Sequence, residues 1–356
     1  MAKKICFLLP NLNAGGAERV VTILAESLSQ KGFSVDIVLL LNNIVKYQTA
    51  DNINIIKLNT EKLGNIQRIK ILRNYLKGEK NKFEKMYVLS FQPWCLNFLL
   101  CAAFGLNIKI VATERNNPYR NGSNLYRRIK YSIPFILSDA CVFQTFDAQK
   151  YYLFLKSKKC FVIPNPIRSF NYKWNQNTSP NSIVSFCRLH PQKNLIMAID
   201  SIGEIKKAFP NVCLKIYGEG SIKTELEEYA NKRGLKENVQ FCGLSNNVPQ
   251  IMANASLFLS TSDYEGISNS MLEAMSIGMP IVCTDCPIGG AKMMLQNGAG
   301  ELVPVNDYQR CASKIIELFN KPSQMIMMGN KAFEESKKFS IIEISKRWLS
   351  VINHLG

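Results

Sequence analysis

The sequence predicts an α/β chain built from two doubly wound domains. Three observations carry that expectation. Short, unbroken apolar runs of about five residues recur, as strands buried on both faces of a parallel sheet require. Segments with apolar residues at helical spacing separate them. The alternation stops once, in a proline- and asparagine-rich stretch near residues 165–181, and then restarts.

The first run, ICFLL (5–9), is followed by Gly15 and Gly16, then by Val20, Val21, Ile23, Leu24 and Leu28 at helical spacing. VDIVLLL (35–41), KMYVLSF (85–91), IKIVATE (108–114), DACVFQT (139–145) and CFVIPNPI (160–167) continue the series. Beyond the break come SIVSFCRL (182–189), VCLKIYGEG (212–220), VQFCG (239–243), SLFLSTS (256–262) and PIVCTD (280–285). The expected division is a first Rossmann-like domain over 1–168 and a second over 169–338. The apolar stretch Trp94 to Leu106 is broken by Asn97 and falls short of the roughly 20 residues a membrane span needs, so it reads as a buried helix. Lys3 and Lys4 lead directly into a strand, with no sign of a signal peptide.

Composition narrows the function. Apolar residues make up 47% of the 356 and charged residues 20%, which excludes a disordered chain. The net charge of +17 is uneven: residues 1–168 hold 25 Lys/Arg against 10 Asp/Glu, and residues 169–356 hold 19 against 17. The first half therefore faces something anionic, nucleic acid or an acidic membrane surface. The aromatics are not interleaved with basic residues, as a nucleic-acid stacking platform requires. Eleven cysteines, among them Cys6, Cys101, Cys141, Cys187 and Cys213, are scattered singly through apolar runs, as reduced, buried thiols of a cytosolic protein are. Cys283 and Cys286 form one CxxC, but a zinc site needs a second pair or histidines, and His190 and His354 are the only two. No metal site is expected.

Doubly wound sheets bind ligands outside the carboxyl ends of their strands, and the polar features gather there. Gly15 and Gly16 allow a close backbone approach at a helix start, where free N–H groups attract phosphate, although such glycines also serve packing. Arg188 and Lys193 leave the end of SIVSFCRL and have the charge to neutralise a pyrophosphate, or form a solvated basic loop. Gly218 closes the next strand, as a simple turn or as the frame of a base. In DYEGISNSMLEAM (263–275), Glu265 and Glu273 flank a helix start near Ser268–Ser270, and Ser270 with Glu273 has capping-box spacing. Were 265–273 wholly helical, the two carboxylates would stand about 12 Å apart. That span suits the hydroxyl pairs at the two ends of a nucleotide-diphosphate sugar, with Gly266, Ile267 and Ser268 backbone groups at the phosphates. A helix cap plus one surface acid is the plainer alternative.

GGAER near the start, Arg188 with four residues before Lys193, GEG at 218–220, and Glu265-x7-Glu273 followed by AMSIGMPIVCTD, in that order over almost the whole chain, resemble the retaining glycosyltransferases of family 4. The resemblance implies the GT-B architecture, two Rossmann-like domains facing a cleft, with a last helix (339–356) crossing back to the first domain. Within the family the chain looks closest to bacterial transferases that extend lipid-linked or surface polysaccharide units, including undecaprenyl-diphosphate-linked N-acetylhexosamine transferases.

The resemblance also implies roles. Gly15 and Gly16 match glycines near the donor phosphates and acceptor, and Arg188 and Lys193 the pair that binds the leaving diphosphate. Glu265 matches the glutamate that holds the donor sugar, Glu273 the one that accepts from the ribose, and the base would sit near Gly218 and Leu244. Relatives often carry Glu-His where this chain has Glu114-Arg115, and that histidine usually faces the donor sugar. Glu114 and Arg115 are therefore acceptor-side candidates of open role. The implied activity is retaining, metal-independent transfer of a hexose or N-acetylhexosamine, commonly from a UDP-sugar, to a lipid-diphosphate-linked glycan. A sugar-nucleotide epimerase of the same fold and a non-catalytic nucleic-acid-binding protein are the alternatives. An anionic membrane surface is the expected partner, with Arg127, Arg128 and Lys130 in YRRIKYSIPFIL (126–137) as contacts on the inner face of the plasma membrane. Pro134 is expected to interrupt that segment.

Overall fold

In the computed structural model, residues 3–13, 15–168, 170–179 and 181–356 are described. Contacts divide the chain into two units, Met1–Pro166 with Ile341–Gly356, and Ile167–Ser340. Ile167 N donates to Phe339 O (2.8 Å), and Ile167 bridges Ser340, so the two connections that bound the second unit lie side by side within it. The border expected from the sequence at 168/169 adjoins Ser169, which lies outside the described residues.

The first unit runs β1 (Lys3–Leu9), α1 (Gly16–Ser29), β2 (Ser34–Leu39), β3 (Ile53–Lys57), α2 (Asn65–Lys80), β4 (Lys85–Ser90) and α3 (Pro93–Ala103). It continues with β5 (Lys109–Glu114), α4 (Leu125–Leu137), β6 (Ala140–Phe143), α5 (Phe146–Tyr151) and β7 (Cys160–Val162). All its pairings are parallel, in the order β3-β2-β1-β4-β5-β6-β7. The central strand β1 is buried from Lys4 to Leu9, which is why its sequence is apolar without alternation.

The second unit runs β8 (Ser182–Phe186), α6 (Leu195–Ala208), β9 (Cys213–Tyr217), α7 (Lys223–Lys232), β10 (Val239–Gly243), α8 (Val248–Ala253) and β11 (Leu257–Ser260). It ends with α9 (Asn269–Ser276), β12 (Ile281–Thr284), α10 (Gly290–Met294), β13 (Glu301–Val303), α11 (Tyr308–Phe319) and α12 (Pro322–Ser336). Its parallel sheet is ordered β10-β9-β8-β11-β12-β13. Each unit is thus a mostly parallel sheet between helices, the α/β class expected. The last helix, α13 (Ile341–His354), packs in the first unit: Ser345 Oγ donates to Ser27 Oγ at 2.7 Å, and Trp348 stacks on Phe91 with ring centroids 5.7 Å apart.

Three expectations are corrected. Pro134 does not interrupt its segment: α4 runs unbroken through it, giving up one rung of the ladder near its end. Cys101 is exposed, not buried, and Cys187 and Cys213 are half-buried. The segment Trp94–Leu106 is helical only to Ala103 and leaves Trp94 and Phe104 exposed, although Cys95, Leu96 and Leu99 face the core. Among the described residues no helix is long and apolar enough to cross a membrane.

Candidate functional site

In the second sheet the winding reverses between β8 and β11, and such a switch point opens a crevice at the strands' carboxyl ends. The chain leaving β8 carries Arg188 and Lys193, and the chain leaving β11 carries Glu265. The structure brings two of these together: Lys193 Nζ lies 2.6 Å from Glu265 Oε1, while Ser262 Oγ donates to Glu265 Oε2 at 3.0 Å. Burial works against the Lys193 charge, but the attraction of Glu265 and its hydrogen bond outweigh burial and hold the ammonium above its ordinary value. Arg188 is exposed, and its side chain makes no hydrogen bond or ion pair among the described residues.

The two loops are fastened to each other. Asp263 N donates to Gln192 O (2.9 Å), Gln192 Nε2 to Tyr264 O (2.8 Å), and Thr261 Oγ1 to Lys193 O (3.0 Å). Asn194 takes a left-handed conformation (φ 44°), caps α6 by accepting from Met197 N, and donates to Asp263 Oδ1 and Asn306 Oδ1, each at 2.6 Å. Thr284 Oγ1, at the end of β12, donates to Ser262 O at 2.6 Å. The Lys193–Glu265 pair therefore sits on a preset frame. The sequence reading missed Ser262, Asn194, Asp263 and Thr284, since each is a common polar residue at a strand end.

Residues 265–268 are not helical, so the helical span between Glu265 and Glu273 does not apply. Helix α9 begins at Asn269. Its cap is Ser268, whose Oγ accepts from Met271 N at 3.3 Å, and not Ser270, which donates to Phe186 O at the end of β8 (2.8 Å). Glu273 is therefore no capping-box residue; it is buried in α9's second turn. Gly266 O accepts from Gly290 N at 2.6 Å, and a Cβ on Gly290 would run into Ile267. The pair Gly289–Gly290 is what lets this second glycine turn close on the α9 loop, and a Gly-Gly just past a strand was the signal that could have found it. A small cavity beside Glu265 is lined by Ser260, Ser262, Ser268, Cys283, Thr284 and Cys286, among others. Burial drives both thiols up, Cys286 to about 11, so they stay protonated.

Gly218 is committed to packing. Its φ is +142°, its N–H donates to Gly243 O at 2.7 Å, and a Cβ would collide with the carbonyl of Cys187. Leu244 follows Gly243 and is exposed.

In the first unit the switch point lies between β1 and β4. Gly15 precedes α1 in an extended conformation and Gly16 opens the helix; Tyr47 Oη donates to Gly15 O at 3.0 Å. Glu114, at the end of β5, is buried and accepts from Arg115 N (2.9 Å), Asn116 N (3.0 Å) and Tyr152 Oη (2.5 Å). Burial raises its pKa despite those donors. The Arg115 guanidinium lies over the rings of Phe91 (4.8 Å) and Trp348 (5.3 Å). Its Nη1 donates to Ile163 O at 3.3 Å, while Nε and Nη2 are buried without a partner among the described residues. Of the basic residues in α4, Arg128 turns inward to Tyr151 O (2.8 Å) and Lys150 O (2.6 Å); Arg127 and Lys130 are exposed.

Comparison with known proteins gives the following. Residues 167–335 match the family described as glycosyl transferases group 1. An uncharacterized glycosyltransferase of Haemophilus influenzae is 25% identical over 98% of this chain and 100% of its own length. The Campylobacter jejuni GalNAc-alpha-(1->4)-GalNAc-alpha-(1->3)-diNAcBac-PP-undecaprenol alpha-1,4-N-acetyl-D-galactosaminyltransferase is 25% identical over 98% of both chains. Among solved structures, Anabaena HepE in complex with UDP and glucose superposes with a TM-score of 0.82 at 18% identity, covering 98% of this chain and 99% of that one.

Proposed function

Because the chain is a GT-B glycosyltransferase with a group 1 domain over residues 167–335, we propose that it moves a hexose or N-acetylhexosamine from a UDP-sugar, with retention, to a glycan carried on a lipid diphosphate. The observation that carries this reading is the Lys193–Glu265 pair at the switch point of the second unit, 2.6 Å apart and framed by fixed loops. In it, Glu265 takes the donor sugar hydroxyls. Arg188 and Lys193 counter the diphosphate as it leaves. Glu273 accepts from the ribose, the α9 start with Gly266, Ile267 and Ser268 lies along the phosphates, and Gly218 and Leu244 flank the base. The acceptor hydroxyl attacks the face from which UDP departs, and the leaving phosphate oxygen takes its proton. Gly15 and Gly16 lie near the donor phosphates and the acceptor, and Glu114 and Arg115 belong to the acceptor side. Support for UDP comes from the HepE complex and for the acceptor from the Campylobacter relative.

Thermal unfolding with UDP, GDP or ADP tests the donor. A nucleotide at 100 times its dissociation constant adds about 2.7 kcal/mol. UDP is expected to stabilise the wild type, and Glu273→Ala to lose that effect while still folding. Stabilisation by none of the three, with or without acceptor, refutes the donor assignment.

The same reading puts the first unit on an anionic membrane surface. Helix α4 supports it: Leu125, Tyr126, Ile129, Ile133, Ile136 and Leu137 are all exposed, beside Arg127 and Lys130. Single exposed apolar residues are ordinary, but a contiguous set marks an interaction surface. Binding to anionic vesicles is expected to weaken with salt and with Arg127→Glu and Lys130→Glu, and to change little with Arg128→Glu if that variant folds. Equal binding to neutral vesicles refutes it.

A further inference from the structure

The sheet of the first unit pairs two cysteines outside the site above. Cys141 in β6 and Cys160 in β7 are partners in the parallel register. Residues in register on neighbouring strands project to the same face, about 4.8 Å apart along the hydrogen-bonding direction. That spacing falls within the Cα separation of about 4.4–6.8 Å that a disulfide spans. Both cysteines are free thiols. Cys141 is fully buried beneath α4, with its Sγ 3.2 Å from Phe135 O, while Cys160 is half-exposed on the edge strand.

We propose that Cys141 and Cys160 form a dithiol modification site, in which Cys160 is attacked first from solvent and Cys141 resolves it to an intramolecular disulfide. The co-reactant is a low-molecular-weight disulfide. The Cys160 thiolate attacks one of its sulfurs, the S–S bond breaks, and the departing thiolate takes a proton from water. Cys141 then gives up its proton to solvent and attacks Cys160 Sγ, releasing the second small thiol. Two protein thiols are oxidised to one disulfide, and one small disulfide is reduced to two thiols.

Two further features support the order of attack. The Cys141 thiol donates to Phe135 O and the Cys160 thiol to Lys156 O at 3.4 Å; the neighbouring Cys141 thiol lowers the Cys160 pKa, and Lys159 beside it acts the same way, against the opposing effect of burial. Cys141 itself is raised, by the neighbouring Cys160 thiol and by burial, and so does not react first. The bond would staple the three-residue edge strand β7 to β6. The chain leaving β7 carries Ile163 O and Asn165 Oδ1, both of which receive Arg115 Nη1, so the staple holds the backbone on which Arg115 is fastened.

The experiment uses the full chain, reduced and then incubated with oxidised glutathione, followed by peptide mapping under non-reducing conditions. A cross-link between the Cys141 and Cys160 peptides is expected in the wild type. Cys141→Ala is expected to trap a stable glutathione adduct at Cys160, and Cys160→Ser to leave Cys141 unmodified. Should Cys141→Ala fail to fold, the wild-type time course decides: an adduct at Cys160 that rises and then decays into the cross-link supports the proposal. Modification of the exposed Cys101 and Cys242 with Cys160 untouched overturns it. So does an adduct at Cys160 that never resolves.

Discussion

Replacing Lys193 with methionine removes the cation that the structure fixes beside Glu265. The two side chains keep only 16% and 20% of their exposure, with charged atoms 2.6 Å apart. At an effective dielectric near 20, unit charges at that distance attract by about 6 kcal/mol, a ceiling from which desolvation must be subtracted. Breaking an exposed pair costs about 0–1 kcal/mol, and breaking a fully buried one about 3–5 kcal/mol. A pair about four-fifths buried belongs between these, and Lys193→Met should cost about 2 kcal/mol in a urea titration. Its effect on rate should be larger. A cation positioned on the departing diphosphate is comparable to an oxyanion donor, whose loss lowers kcat about 10²–10³-fold. The pH dependence follows from the raised Lys193 pKa. A group raised on folding contributes stability fully below its unfolded value and loses it as pH rises through the folded one. The gap between wild type and variant should therefore hold steady from about pH 7 to 9 and close only above about pH 10.4. Initial rates with labelled donor and urea midpoints across that range make the measurement. A stability loss of the expected size with an unchanged kcat would refute the catalytic role and leave Lys193 a structural counter-ion.

Two further outcomes are expected. In the proposed mechanism Arg188 and Lys193 counter the diphosphate, and with no Asp-x-Asp in the chain transfer should continue in EDTA after exhaustive dialysis; a strict requirement for added Mn²⁺ or Mg²⁺ would sink the mechanism. Gly218→Ala should lose about 1–3 kcal/mol through its strained φ and the Cys187 carbonyl, whereas Gly234→Ala, with positive φ but open space around it, should lose less in the same urea titration; equal losses would mean the collision is relieved by a backbone shift.

The strands were legible because burial on both faces demands unbroken apolar runs. Where that demand lapses, so does the signal. Strand β3 is an edge strand in which Ile53 is buried, Ile55 and Ile56 are half-buried and Asn54 and Lys57 are exposed, and INIIK carries too little pattern to stand out. Strand β13 has three residues. The opposite error occurs where apolar chain runs past the sheet: CFVIPNPI forms a strand only to Val162 and gives one more bond, Ile163 N to Phe143 O, since Pro164 and Pro166 have no N–H to give a ladder. Past β8 and β9, pairing persists as single bonds, Cys187 N to Tyr217 O and Leu189 N to Glu219 O, and there the glycines of GEG are needed because the two backbones touch.

The site was legible where charge and spacing coincide and obscure where tertiary packing decides. Glu265 and Lys193 could be named because each follows a strand, but their meeting depends on Asn194 taking a left-handed turn and on Ser262, residues whose identity alone announces nothing. Arg115 shows the converse. Its position after β5 marks it for a ligand, yet its guanidinium is stacked over Phe91 and Trp348, and the latter comes from α13, more than 200 residues on. The Arg115 side chain reaches the Trp348 ring of α13 and the carbonyl of Ile163 at once. Its planar cation can stack and donate in plane together, so Arg115 ties the loop after β5 to α13 within the first unit.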